Sequence, residues 1–300
     1  MILRNFNELI EKVRSLSKAR RVVVASAADE HSLEAVFHAQ KDGIVDPVLV
    51  GEKSKILDIL SKLGVSLPEG GLYDVPEAEE AAMKSVELIR EGKGDFLMKG
   101  KLETAQMLKP VVNKETGIGT CKLMSHVAVF QSPHYHKLLV VTDGGMVTYP
   151  TLEQKKAIIE NAVGVLKSLG YEKPKVGILA AIEKVNPKMP ETLESDALYQ
   201  MNAEEKIKGC VVAGPISLDV ALNSDAAEIK GYKNPVAGDA DILIVPNIHT
   251  GNVLGKSITT LGGGQMAGIV MGARVPIILT SRGSSSEEKY LSLALAAAIS

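Results

Sequence analysis

Residues 235–288 read PVAGDADILIVPNIHTGNVLGKSITTLGGGQMAGIVMGARVPIILTSRGSSSEE, and their pattern decides the fold. The apolar run Ile242–Pro246 predicts a buried strand, and the residues that follow it, HTGN, form a polar turn. A small-residue helix is predicted over about Val253–Gly272, and a second strand over Val275–Thr280. The polar run SRGSSSEE comes directly after that strand. Because open α/β sheets bind ligands outside the carboxyl ends of their strands, both turns predict an anion-binding site.

The same alternation of strand and helix runs through the rest of the chain. Apolar runs such as Arg21–Ala27 and Phe96–Gly100 predict buried parallel strands, and amphipathic segments such as Glu77–Arg90 predict the helices between them. Two further apolar runs, Ser125–Gln131 and Lys137–Thr142, flank a short polar turn and predict a hairpin. This hairpin interrupts the alternation and therefore marks a domain boundary.

We predict an α/β fold with two α/β/α lobes and parallel-dominated sheets. Residues 1–125 and 272–300 are predicted to form a discontinuous first lobe, because the apolar C-terminal helix packs back on it. Residues 126–271 are predicted to form the second lobe, with the active site in the cleft between the lobes.

Composition excludes several classes of protein. The 34 Lys and Arg against 36 Asp and Glu give a net charge of −2, so the chain lacks the basic excess that nucleic-acid binding requires. We find no apolar run of about 18 residues and predict no membrane partner. Cys121 and Cys210 are too far apart to suggest a metal site or a disulfide framework, so we predict free thiols and a cytoplasmic location.

The run after the second strand offers chemistry suited to an anionic substrate. Ser281 supplies a hydroxyl, although a Ser in this position also commonly caps a helix. Arg282 supplies a guanidinium that is well shaped for phosphate. Glu287 and Glu288 lie in the first turn of the last helix, where acids also compensate the helix dipole. A hydroxyl, a guanidinium and a carboxylate together suit anion binding and proton transfer.

A second candidate site follows the strand Phe96–Gly100. Lys99 and Lys101 flank a glycine, which suits a phosphate by charge and by backbone access, and Thr104 begins the next helix. Lys109 lies near the end of that helix and is equally typical of a solvated surface. A lone Lys-Gly-Lys is also common in solvated loops.

The histidines and the glycine-rich turns do not predict a metal or a dinucleotide. His134 and His136 have the spacing of two ligands on one strand, but no Cys or further His completes a set. Neither the Asp143–Gly145 turn nor the Gly262–Gly264 turn matches a dinucleotide or P-loop motif. We therefore predict no metal and no tightly bound cofactor.

Several segments together resemble the phosphate acyltransferase family over nearly the whole chain. They are MKGKLETAQMLKP (98–110), FQSPHYHKLLVVTDGG (130–145), AAIEKVNPKMPETLESDAL (180–198), GPISLDVAL (214–222), NPVAGDADILIVPN (234–247), GNVLGKS (251–257) and ARVPIILTSRGSS (273–285). The VNPK segment favours the branch that acts on butyryl groups over the acetyl branch.

The resemblance implies a fold of the isocitrate and isopropylmalate dehydrogenase type, in a homodimer or a larger homo-oligomer. It implies the reaction acyl-CoA + phosphate ⇌ acyl phosphate + CoA, with coenzyme A as substrate. Ser281 then stabilises the reacting centre and Arg282 binds phosphate or CoA groups. Glu288 stands where the acetyl enzymes have an aspartate base, and Lys109 stands where they have a phosphate-binding arginine.

The remaining substrate-binding candidates lie in the matched segments. They are Lys99, Lys101, Thr104, Gly251 and Asn252. Transfer to acetyl groups is the alternative within the family. Outside it, the alternatives are an NAD- and metal-dependent dehydrogenase of the same fold type and a catalytically silent CoA sensor.

Overall fold

The structure, a computed structural model, describes residues 2–67, 70–281 and 283–300. Its elements in chain order are α1 (Phe6–Arg14), β1 (Arg20–Ala25), α2 (Glu30–Lys41), β2 (Val45–Gly51), α3 (Lys53–Leu63), β3 (Leu72–Asp74), α4 (Ala78–Arg90), β4 (Phe96–Lys99), α5 (Thr104–Val111), β5 (Ser125–Gln131), β6 (Leu139–Thr142), α6 (Leu152–Ser168), β7 (Lys175–Leu179), α7 (Pro190–Ala203), β8 (Val211–Ile216), α8 (Leu218–Leu222), α9 (Ser224–Ile229), β9 (Ile242–Ile244), α10 (Ile248–Lys256), a π-helical turn (Ser257–Leu261), β10 (Gln265–Met271), β11 (Ile277–Ile278) and α11 (Ser286–Ile299).

These elements form two compact units. The first, the discontinuous unit, consists of residues 7–122 and 267–300. The second, the central unit, consists of residues 2–6 and 123–266. Residues 2–6 belong to the central unit because Leu3 is bonded there: its N–H donates to the Tyr171 hydroxyl at 3.0 Å and its carbonyl accepts from the Leu138 N–H at 3.0 Å.

The discontinuous unit is built on strands in the order β3-β2-β1-β4-β11-β10. The pairs from β3 to β11 are parallel, and β10 runs antiparallel to β11. The last four residues of β1, Val22–Ala25, are completely buried, as expected for a parallel strand covered on both faces. Because β1, β4 and β11 are parallel neighbours, the residues after them emerge at the same edge of the sheet.

The last helix closes the core of this unit. α11 is buried from Lys289 to Ala297 and packs against α2. Tyr290 of α11 stacks on the His38 ring of α2 with 4.4 Å between centroids, and its hydroxyl donates to Asp42 at 2.5 Å. These contacts fix the helix whose first turn carries Glu288.

The central unit has the strand order β5-β6-β9-β7-β8. β5 and β6 form the predicted antiparallel hairpin, and the remaining pairs are parallel. At the start of β6, the buried Lys137 ammonium contacts Asp239 at 2.7 Å and Asp241 at 2.6 Å. The strand alternation and the hairpin predicted from the sequence are therefore confirmed.

The predicted helix over Val253–Gly272 is wrong. α10 ends at Lys256, a π-helical turn follows, and Gln265–Met271 is the strand β10. Three glycines, Gly262–Gly264, end the helical segment, and Gly263 has a φ of +65° that an L side chain rarely adopts. Gln265, Met266 and Ala267 favour a helix by local propensity, but the segment is a strand that pairs with β11 through Val270 and Ile277. Among the described residues, no helix combines the length and apolar character needed to cross a membrane.

Candidate active site

Ser281 lies just beyond β11, at the carboxyl edge of the sheet in the discontinuous unit. Its side chain is exposed, and its Oγ accepts a hydrogen bond from the Gly283 N–H at 3.2 Å. The predicted neighbour Arg282 lies outside the described residues. Ser281 is therefore placed at an open strand end, where its hydroxyl is available to a ligand.

A short hydrogen-bonded series links Ser281 to Glu288. The Ser284 hydroxyl donates to Oε1 of Glu288 at 2.7 Å and lies 3.5 Å from the Ser281 Oγ. Ser284 is buried, and its N–H donates to the Ser281 carbonyl at 3.2 Å. Ser285 caps α11 by accepting from the Glu288 N–H at 3.2 Å. The turn and the cap together bring a hydroxyl and a carboxylate seven positions apart to one end of α11.

Glu288 is half-buried, and this changes its acidity. Burial disfavours the charged carboxylate and raises its pKa above the ordinary value for glutamate. The hydrogen bond from Ser284 and the charge of Lys289 act in the opposite direction without cancelling the effect of burial. A carboxylate with a raised pKa is a stronger base, so Glu288 is better suited to accept a proton than an exposed acid at a helix start.

The Lys-Gly-Lys loop is anchored to the turn that follows β1. The Gly100 N–H donates to the Ala25 carbonyl at 2.9 Å, and the Lys101 N–H donates to the Ser26 carbonyl at 2.8 Å. A Cβ on Gly100 would lie 2.3 Å from the Ser26 carbonyl oxygen, so the close approach requires glycine. Ser26 itself has a φ of +53°, which is unusual for a residue with a side chain. The glycine that the sequence placed between two lysines is thus required by packing.

Lys99 and Lys101 present their charges differently. Lys99 is buried, and its ammonium donates to the carbonyls of Gly100 at 3.3 Å and Leu102 at 3.2 Å. These hydrogen bonds fix the position of the Lys99 ammonium. Lys101 is exposed, and its bonds to other described residues are made by its backbone.

A cavity of about 360 Å³ opens at this edge of the discontinuous unit. Its lining residues in the described part of the chain are Asp29, Lys99, Gly100, Lys101, Leu102, Thr280, Ser281 and Lys289. The structure therefore brings together three residues that the sequence predicted: Lys99, Lys101 and Ser281. Sequence reasoning missed Asp29 and Lys289. Asp29 has an ordinary role as the N-cap of α2, where it accepts from the Ser32 N–H, and Lys289 carries no signal beyond its position next to Glu288.

Thr104 and Lys109 are not among the described residues that line the cavity. Thr104 is the exposed first residue of α5, which begins with a capping box between Glu103 and Gln106. The Lys109 ammonium is exposed and lies 3.4 Å from Glu79 of α4. An ion pair this exposed and this long contributes little to stability, so Lys109 is available to a partner.

Gly251 and Asn252 belong to the central unit, in the first turns of α10. A Cβ on Gly251 would lie 2.8 Å from Cα of Gly144, so α10 and the Asp143–Gly145 turn touch backbone to backbone. The Asn252 amide donates to the Gly144 carbonyl at 3.4 Å. The buried Asp143 carboxylate shapes this turn by accepting from the Gly145 N–H at 2.7 Å and the Met146 N–H at 2.8 Å. These two candidates therefore form a glycine-lined helix start within their own unit.

The described residues hold no cluster of three or more His, Cys, Asp or Glu side chains that suits a metal ion. His136, one of the histidines considered as a ligand, instead pairs with Asp239 at 2.9 Å. Both cysteines are free, with Cys121 exposed and Cys210 buried.

Comparison with known proteins gives a family. Residues 75–297 match the family model described as phosphate acetyl/butaryl transferase. The chain is 45% identical to the phosphate butyryltransferase of Clostridium acetobutylicum, over 99% of each chain. It is 41% identical to the phosphate acetyltransferase of Thermotoga maritima, over 97% of this chain and 98% of the relative. These matches confirm the resemblance drawn from the sequence segments.

Solved structures agree with the α/β assignment. A branched-chain phosphotransacylase from Enterococcus faecalis V583 has a TM-score of 0.80 and 31% identity, with coverage of 92% of this chain and 97% of that one. A putative 4-hydroxythreonine-4-phosphate dehydrogenase from Salmonella typhimurium has a TM-score of 0.57 at 14% identity, over 95% of this chain and 100% of that one, which concerns the fold alone. The predicted dehydrogenase-like α/β fold is confirmed. By its family match and by its full-length relatives, the chain belongs to the phosphate acetyltransferase and butyryltransferase family.

Proposed function

We propose that this protein transfers a short acyl group between coenzyme A and inorganic phosphate, with butyryl as the preferred group and acetyl as the alternative. Membership of the family and the 45% identity to a butyryltransferase support the reaction. The observation that carries the proposal is the hydrogen-bonded series from Ser281 through Ser284 to Glu288 beside a lysine-lined cavity. It combines a proton acceptor, a hydroxyl donor and positive charge.

In the direction of acyl-CoA formation, the Glu288 carboxylate takes the proton of the CoA thiol. The thiolate sulfur attacks the acyl carbon of the acyl phosphate, and a new C–S bond forms. The bond from that carbon to the phosphate oxygen then breaks, and phosphate leaves with the electron pair and regains a proton through Glu288. The reverse sequence makes acyl phosphate. A positioned general base of this kind contributes about 10²–10⁴-fold to the rate.

The other candidate residues are proposed to bind or stabilise negative charge on the substrates. Ser281 and Arg282 are proposed to donate to the oxyanion that develops on the acyl carbonyl, and Lys99 and Lys101 to attract phosphate. Thr104 and Lys109, from α5, and Gly251 and Asn252, from the start of α10, are proposed to bind phosphate or CoA groups. Coenzyme A enters as a substrate, and the proposal needs no tightly bound cofactor. Holding both substrates together supplies much of the remaining rate gain.

We further propose a cytoplasmic location and a homodimer or larger homo-oligomer. The free and exposed Cys121 supports the location, since reducing compartments keep exposed thiols from oxidising. Light scattering coupled to gel filtration of the purified chain measures the mass and tests the assembly.

The reaction is tested by thiol release from butyryl-CoA in the presence of phosphate. The same assay with acetyl-CoA ranks the two acyl groups, and an arm with EDTA and an arm with NAD address the dehydrogenase alternative. We expect phosphate-dependent CoA release that EDTA does not affect. Absence of release from every short acyl-CoA would overturn the proposal, and so would NAD reduction that EDTA abolishes. In the Glu288→Gln variant, which keeps the size and loses the base, release should fall at least about 10²-fold.

A further inference from the structure

The two charged residues that sequence reasoning missed both line the cavity of the discontinuous unit. Lys289 is buried, with 6% of its side chain exposed, and Asp29 is half-buried. Lys289 lies in α11 directly after Glu288, and Asp29 precedes α2. Lysine is seldom buried without a reason, since removing its charge from water is costly.

The contacts of this pair leave part of the lysine ammonium available. Lys289 Nζ donates to Oδ2 of Asp29 at 3.0 Å. The same oxygen caps α2 by accepting from the Ser32 N–H at 3.0 Å and from the Ser32 hydroxyl. An ammonium carries three N–H donors, and Asp29 is the acceptor that it meets among the described residues. Two donors therefore remain on a group that faces the cavity.

The charges around the cavity point to a dianion. Lys99, Lys101 and Lys289 contribute three positive charges, and Asp29 contributes one negative charge, which leaves an excess of two. A phosphate group carries about two negative charges near neutral pH. The hydroxyls of Thr280 and Ser281 line the same space and add hydrogen-bond donors.

We propose that Lys289 is a phosphate ligand, that this cavity holds the reacting phosphate rather than the phosphates of coenzyme A, and that Asp29 positions the lysine. The identity of the anion rests on the proposed function. The place of Lys289 supports the assignment, because it follows the proposed base directly and its charge acts on that base. A phosphate bound there lies beside Ser281, whose Oγ is 3.5 Å from the Ser284 hydroxyl that donates to Glu288.

The test separates phosphate binding from CoA binding. In Lys289→Met we expect the KM for phosphate to rise roughly tenfold or more, since a hydrogen bond to a charged group is lost. The KM for butyryl-CoA should stay within about twofold, and Lys289→Arg should recover most of the phosphate affinity. Lys62→Met is the matched control, because Lys62 is an exposed lysine of the same unit that pairs with Asp58. It should leave both constants unchanged.

Loss of Lys289 leaves Asp29 without its cation, so the single variant is paired with Asp29→Asn/Lys289→Met. That double variant removes both charges and keeps an oxygen to cap α2. If it folds with the wild-type phosphate KM, or if the KM for butyryl-CoA rises instead, the proposal is overturned. If the Asp29–Lys289 ion pair had a structural role alone, the double variant would have a changed melting temperature and the wild-type KM for phosphate.

A binding measurement keeps this result distinct from the reaction itself. Titration calorimetry with inorganic phosphate, and separately with coenzyme A, needs no turnover. Phosphate binding that disappears in the double variant supports the inference even if the wild type releases no CoA from any acyl-CoA. Turnover in the wild type together with equal phosphate binding by both proteins would leave the reaction standing and overturn the role of Lys289.

Discussion

The Ser284 hydroxyl donates a 2.7 Å hydrogen bond to Oε1 of Glu288 while lying 3.5 Å from the Ser281 Oγ. Ser284 thus holds one oxygen of the proposed base and leaves the other for a thiol. Glutamate has one more methylene than aspartate, and a bond to a buried hydroxyl restricts the extra torsion. Ser284 acts through Glu288 and is a positioning residue for it.

Ser284→Ala should move the pH dependence of the reaction. The hydrogen bond favours the charged carboxylate and works against the effect of burial, so its loss raises the pKa of Glu288 further. A base must be deprotonated to act, so the acidic limb of kcat/KM for CoA should move to higher pH. Rates measured with acyl phosphate and CoA over a range of pH values give the position of this acidic limb.

Two variants accompany that profile. Ser284→Thr retains the hydroxyl and should restore the wild-type limb. Ser285→Ala removes the cap of α11, which costs about 1 kcal/mol of stability, and should leave the limb in place. If the acidic limb of Ser284→Ala stays at the wild-type pH, the hydrogen bond from Ser284 does not affect the pKa of Glu288.

Ser281→Ala should lower turnover about 10²-fold or more, as expected for the loss of one donor to an oxyanion. Its side chain is exposed and its Oγ accepts from the Gly283 N–H, so the variant should fold normally. Steady-state kinetics and a thermal melt together check this. Wild-type turnover at an unchanged melting point would reduce Ser281 to a turn-stabilising residue.

Gly100→Ala should displace the Lys99–Lys101 loop, because its new Cβ would meet the Ser26 carbonyl at 2.3 Å. We expect a higher KM for phosphate together with a lower melting temperature. Gly164→Ala is the matched control, since a Cβ there meets nothing within 4 Å in the middle of α6. That control should be neutral or more stable by up to about 1 kcal/mol. Equal behaviour of the two variants would contradict the packing argument.

Lys137→Met should destabilise the central unit by about 3–5 kcal/mol, because it removes the ammonium that pairs with the buried Asp241 carboxylate and with the half-buried Asp239. Lys62→Met removes an exposed pair and should cost about 0–1 kcal/mol. Urea unfolding of both variants measures the difference. If Lys137→Met loses no more stability than the control, the pairing of Lys137 with Asp239 and Asp241 makes no net contribution to stability.

The same variant has a predicted pH dependence. Burial opposes ionisation of Asp239, but hydrogen bonds from Lys137, Lys175 and His136 outweigh it and hold the pKa well below its usual value. Such a depressed pKa stabilises the fold above the unfolded value of about 4, and the contribution is lost as pH falls through the folded pKa. The gap in unfolding free energy between wild type and Lys137→Met should therefore narrow in acid. A gap that is constant from neutral pH to pH 3 would contradict this account.

Local pattern was enough to predict much of the fold and part of the site. The apolar β-branched run of β1 and the long apolar helix α11 indicate their structures without help from the rest of the chain. The spacing of Ser281 and Glu288 across one turn and one helix start is local too, so both could be placed. β10 could not, because Gln265–Ala267 continue a helical pattern by local propensity and pairing in the sheet decides against it.

The Asp29–Lys289 pair was also beyond the reach of local pattern. Each residue has an ordinary explanation where it stands, as a helix cap and as a lysine in an early helical turn. Their meeting depends on the packing of α11 against α2, which no local spacing encodes. The requirement for glycine at position 100 could not be seen from local sequence either. The Ser26 turn that excludes a side chain there follows a strand that is distant in the sequence.

The cavity of the discontinuous unit joins the two distant segments of its chain. Asp29 and Lys289 are 260 positions apart, and the central unit is inserted between them. Closing so long a loop carries an entropic cost that grows with loop length, and the inserted unit shortens the effective loop when it folds first. Any anion that bridges the two segments binds the closed unit and not the open chain, so its binding energy adds to the stability of the closure. The concentration of substrate then helps to set how often the discontinuous unit opens. Cleavage of this unit by a protease should therefore slow as phosphate is added.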